Sequence, residues 1–138
     1  MMKLIGGTML KTTSILSSIM GLMFFWLSIR VIQQRRKHKV SIGDGGINDL
    51  AMAMRAHGNF SEYVPLSLIL LGVAEINLAH ELIVLAFAVA IFLGRAFHAY
   101  AFLGGKEHFK PRVIGMKLTL YTLVALSVFN LGLIAWKL

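Results

Sequence analysis

Arg55, Asn59 and Glu62 stand at i, i+4 and i+7 within Arg55-Ala-His-Gly-Asn-Phe-Ser-Glu-Tyr-Val-Pro65, a polar set inside an otherwise apolar helix. At about 3.6 residues per turn, that spacing puts a guanidinium, an amide and a carboxylate on one face. An ionisable group at the bilayer centre costs about 2.5–3.5 kcal/mol on insertion scales. Such groups are therefore kept where they pair or face a cavity. A packing lock between helices is one reading, but an interhelical polar contact is worth only about 0.6 kcal/mol on average. That return hardly explains three such groups on one face. Together they could hold a polar, zwitterionic small molecule, and Tyr63, beside them, could add its hydroxyl.

A second set lies further along. Arg95, His98 and Phe102 are spaced i, i+3 and i+7, again one helical face. Arg55 and Arg95 come to similar depths, where they repel unless a carboxylate or an anionic ligand lies between them. Glu62 can satisfy one of them; the other invites an anion, which arginine holds bidentately. Arg112 opens the last apolar segment, with Lys110 and Lys117 nearby, and plain charge anchoring suffices for Lys110. His57 falls about 200° around the helix from Arg55 and reads as an interhelical hydrogen-bonder rather than a base. His38, His80 and His108 form no ligand spacing, so no metal site is expected.

These residues need elements to carry them. The chain of 138 residues is 57% hydrophobic and 14% charged, with a mean hydropathy of +0.75, where a soluble domain carries about 25% charged residues. An integral membrane protein follows. Four spans are expected, at about 12–32, 49–75, 82–103 and 115–136, giving an all-α bundle. A signal peptide is the competing reading of the first, since Lys3 and Lys11 precede it. With no small-residue cleavage site and a basic run directly after it, a retained span is expected. Asn48 or Asp49 could cap the second helix, and Pro65 predicts a kink near Ser61. Gly104–Pro111 reads as a turn-rich loop.

The formal charge is +8, but it gathers at Arg30, Arg35, Arg36, Lys37 and Lys39, and again at Lys106, Lys110, Arg112 and Lys117. Both groups flank apolar spans, and the loop between spans two and three is acidic. That is the positive-inside pattern, with both termini on the non-cytoplasmic side. Nothing here suits nucleic acid, because no basic patch interleaves with exposed aromatics. With no cysteine, a thiol would have to arrive with a substrate.

The motif from Arg55 to Pro65 resembles the second-helix signature of the MAPEG superfamily, the membrane-associated proteins in eicosanoid and glutathione metabolism. Gly94-Arg-Ala-Phe-His98, the chain length and the span count are similar too. The basic run into Gly43-Asp-Gly-Gly46 resembles the small bacterial members, whose place is the inner membrane. The resemblance implies a four-helix subunit in a homotrimer, with glutathione as co-substrate bound between subunits near the cytoplasmic side. It implies that Arg55, Asn59, Glu62 and Tyr63 hold glutathione's carboxylates and amine, with Arg95 and His98 contributing from the third helix. It also implies an arginine that lowers the thiol pKa, matched by Arg112, with Lys117 as a possible substitute. Phe102 stands where the catalytic members commonly place a tyrosine.

The expected activity is that of a glutathione transferase or peroxidase. A thiolate stabilised by arginine would attack a lipophilic electrophile arriving from membrane lipid. The alternative is a non-catalytic lipid- or ligand-binding protein on the same scaffold. A third reading, a proton-coupled exporter using Glu62, expects a lone membrane-centred carboxylate, whereas this one comes packaged with Arg55 and Asn59.

Overall fold

The computed structural model describes residues 10–77, 79–102 and 107–138. Four helices occupy them: α1 (Lys11–His38), α2 (Asn48–Ile76), α3 (Glu81–Tyr100) and α4 (Phe109–Lys137). Each is long and apolar enough to cross a membrane. The chain is an all-α, multi-pass, integral membrane four-helix bundle. Lys3, Leu103 and Lys106, which figured in the span and charge reading, lie outside the described residues.

Apolar side chains cover the outside as well as the core, as expected where the solvent is lipid. On α1, Leu16, Met20 and Leu27 are buried while Ile15, Leu22 and Phe25 are exposed. α1 packs on α2, and α3 packs on α4. The α3–α4 crossing is very close. A Cβ on Gly115 would sit 2.6 Å from the backbone nitrogen of His98 and 2.7 Å from the carbonyl oxygen of Gly94. Small residues that let backbones approach are a usual means of packing helices in lipid.

Several boundaries differ from the sequence expectation. α1 continues through Arg35, Arg36 and Lys37, where cations favour the helix C-terminus. α4 begins at Phe109 rather than near Gly115, so Pro111 belongs to the helix and not to a loop. Proline is tolerated in a first turn because the N–H it lacks has no partner there. α3 stops at Tyr100, leaving Phe102 in the turn beyond. Ile47, not Asn48 or Asp49, occupies the N-cap of α2; both polar residues sit in the first turn, where Asp49 favours the dipole. α2 runs through Pro65 as one helix.

Leu10, at the N-cap of α1, makes no side-chain cap hydrogen bond. Glu75, near the end of α2, supplies one: its two carboxylate oxygens accept the backbone N–H groups of Thr12 at 2.8 Å and Thr13 at 2.9 Å. An anion at a helix N-terminus also meets the positive end of the dipole. Glu75→Ala should therefore lower stability by about 0.5–2 kcal/mol, the range for losing an N-cap. A melt in detergent checks this; an unchanged midpoint would mean that the first turn of α1 is held by something else.

Candidate ligand-binding site

The polar face of α2 opens onto a groove of about 360 Å³, lined by Asp44, Ala51, Met54, Arg55, Gly58, Asn59 and Glu62. The i, i+4, i+7 spacing thus delivers Arg55, Asn59 and Glu62 to one cleft. Arg55 and Glu62 are exposed and Asn59 is half-buried. Among the described residues, the ion pair present joins Arg112 to Glu107, so Arg55 and Glu62 do not neutralise each other. The Arg55–Glu62 pairing that a packing lock would use is therefore not made within one chain, although Asn59 does bond across helices to Arg95. Gly58 leaves the floor clear: a Cβ there would meet no atom within 4 Å.

Arg95 is placed differently from the expectation that a carboxylate or an anion answers it. Its side chain is only 1% exposed, and neutral partners take its donors. Nη1 donates to the Asn59 side-chain oxygen at 2.7 Å and to the Asn59 carbonyl at 3.3 Å. Nε donates to Thr119 Oγ1 at 3.1 Å, and Nη2 reaches the same oxygen. The guanidinium lies over the ring of Tyr63, 5.4 Å from its centroid, a cation–π contact that strengthens when desolvated. Thr119 in turn donates to the Gly115 carbonyl at 2.8 Å. Arg95 thereby ties α3 to both α2 and α4.

Asn59 is the link between this buried network and the groove. Its Oδ1 faces Arg95, and its Nδ2 approaches Met116 Sδ at 4.0 Å. Tyr63, Arg95, His98 and Arg112 are not among the groove's lining residues. His98 is buried and tilts against Phe102, ring centroids 5.2 Å apart. Arg112 is exposed in the first turn of α4 and paired with Glu107; Lys117 is exposed. One chain alone therefore brings Arg55, Asn59 and Glu62 to the lining of one groove, a lining that does not include Arg112. His57 is an interhelical hydrogen-bonder, as its position suggested: Nε2 lies 3.1 Å from Ser28 Oγ, and the ring stacks on Phe24 at 4.7 Å.

Sequence reasoning missed three residues. Thr119 is one turn beyond Gly115, and a small residue followed by a hydroxyl at that spacing is the signal that could have found it. Arg35 was counted only as surface charge, yet its Nη1 donates to the carbonyls of Val40, Ser41 and Gly43 at 3.5, 3.1 and 3.0 Å. Asp44, whose place between glycines suits a turn, also lines the groove.

Comparison with known proteins agrees with this architecture. The profile described as the MAPEG family matches residues 13–132. The inner membrane protein YecN of Escherichia coli (strain K12) is 32% identical over 125 residues, covering 91% of this chain and 92% of that protein. The YecN protein of Escherichia coli O6:H1 (strain CFT073) is similar to the same extent.

Proposed function

This chain belongs to the MAPEG family, and from that premise we propose that it is a glutathione-binding protein of the bacterial inner membrane. Its activity is that of a glutathione transferase or peroxidase acting on lipophilic electrophiles. The observation that carries the reading is the groove in which Arg55, Asn59 and Glu62 converge without an ion pair between Arg55 and Glu62. A ligand with both carboxylate and ammonium groups complements that set. The basic ends of α1 and α4 face the cytoplasm, both termini lie outside, and the subunit assembles as a homotrimer whose neighbours close the open side of the groove.

Catalysis needs one more group. The free thiol of glutathione, with a pKa of about 8.5, is mostly protonated at neutral pH, and a nearby cation favours the nucleophilic thiolate. Arg112 serves as that cation, with Lys117 next in line. A second reading, binding without turnover, is favoured by one observation: Glu107 already pairs with Arg112. Calorimetry in detergent and conjugation of a model aryl halide separate the two. Wild type should bind glutathione, and Glu62→Ala should not. Arg112→Ala should retain binding and lose about 100-fold in conjugation, the order of a missing electrostatic stabiliser. Turnover that survives in Arg112→Ala but falls in Lys117→Ala would transfer the role. Binding without turnover by wild type would leave the non-catalytic reading, and no binding would sink both.

A further inference from the structure

The groove holds a carboxylate that the sequence reading did not assign. Asp44 comes from the α1–α2 connection rather than from α2, and it is built in rigidly. The connection opens with Lys39 in the left-handed region at φ 56°, its N–H and that of Val40 returning to the carbonyls of Arg36 and Arg35, the usual Schellman closure. Gly43, Gly45 and Gly46 all have positive φ, a backbone path that glycine takes without strain. Arg35 clamps three successive parts of this path through its guanidinium. Asp44 Oδ1 accepts the Gly46 N–H at 2.9 Å, and the Asp44 carbonyl accepts that of Ile47 at 2.9 Å. Its other carboxylate oxygen takes no hydrogen bond among the described residues and belongs to a side chain lining the groove.

The charge balance of the groove then matters. Asp44 and Glu62 bring two carboxylates to the lining beside the guanidinium of Arg55, while the cations of Arg95 and Arg35 stand behind it, bonded to Asn59 and Met54. An α-amino-acid end fits: its carboxylate answers Arg55, and its ammonium answers the carboxylates of Asp44 and Glu62. We propose that Asp44 is a ligand-binding and specificity-determining residue that, with Glu62, selects a ligand bearing a free ammonium group beside a carboxylate. The assignment deepens the glutathione reading and rests on it.

Asp44→Asn removes the charge but keeps an oxygen for the Gly46 N–H, so the turn and the melting midpoint should survive. The probes are glutathione and deaminated glutathione, which lacks only the ammonium, titrated in detergent at low salt. Wild type should prefer glutathione. Asp44→Asn should weaken glutathione about tenfold, the order of a charge-assisted contact, and leave the deaminated probe unchanged. Added salt should shrink the wild-type preference as it screens an exposed pair. Equal weakening of both probes, or none of either, overturns the role of Asp44 while the glutathione reading stands. Failure of wild type to bind glutathione overturns both. Should the variant fold poorly, the wild-type preference between the two probes and its salt dependence still decide: no preference sinks the assignment.

Discussion

Arg95→Met should abolish most of the glutathione affinity even though Arg95 is not among the residues lining the groove. The guanidinium holds the Asn59 amide in place, and Asn59 is the one residue shared by the buried network and the ligand face. Without it, Asn59 Oδ1 loses its partner in a desolvated site, which costs about 1–3 kcal/mol. The amide is then free to turn away from the groove. Some of that cost is offset, because a methionine of similar length no longer buries a charge. Stability should therefore fall modestly and binding steeply, by tenfold or more, about 1.4 kcal/mol. Arg95→Lys should not rescue it, since one ammonium cannot span Asn59 and Thr119 as a planar fork does. A double-mutant cycle with Asn59→Ala gives the decisive reading. If Arg95 acts through Asn59, the second substitution adds little to the first. Additive losses would mean that Arg95 meets the ligand directly, as the family resemblance alone implies.

Gly115→Val carries the largest expected cost to the fold. The first atom added at Gly115 runs into the His98 nitrogen and the Gly94 carbonyl at under 2.8 Å. Both are backbone atoms, so no rotamer change relieves the clash. α3 and α4 must move apart. Overpacking typically costs about 1–3 kcal/mol, and a contact that only backbone movement can relieve belongs at or above the top of that range. The damage should reach the ligand site as well. Thr119, one turn along α4, would be carried away from Arg95, and with it one of the two supports of that guanidinium. Little folded protein in the membrane fraction, and a large fall in melting midpoint for what is recovered, are the expected results. A valine variant that melts like wild type would show that the crossing is looser than its geometry.

How much of this was readable from sequence follows from what each feature depends on. Arg55, Asn59 and Glu62 were legible because a helix converts spacing into direction, and their type is costly in lipid. The four spans were legible for the same reason: apolar length has one good explanation in a chain this poor in charge. The fate of Arg95 was not. Its partners come from α2 and α4, and nothing local to Gly94-Arg-Ala-Phe-His98 says whether an ion, an amide or a ligand will answer the charge. Asp44 was hidden behind its own turn chemistry, since an aspartate between glycines already has a sufficient local explanation. The early start of α4 was obscured by Pro111, a residue that breaks a helix interior but suits a first turn.

The carboxylate of Glu75 lies 63 residues along the chain from Thr12. During synthesis the first turn of α1 therefore exists before its cap does. At about 5–20 residues per second, that interval lasts on the order of several seconds. Until the far end of α2 emerges, the N–H groups of Thr12 and Thr13 are without the carboxylate that accepts them in the folded chain. The two helices then close at both ends, at the α1–α2 connection and at the Glu75 cap. The first helix is thus completed by the second, and the two are stabilised as a pair.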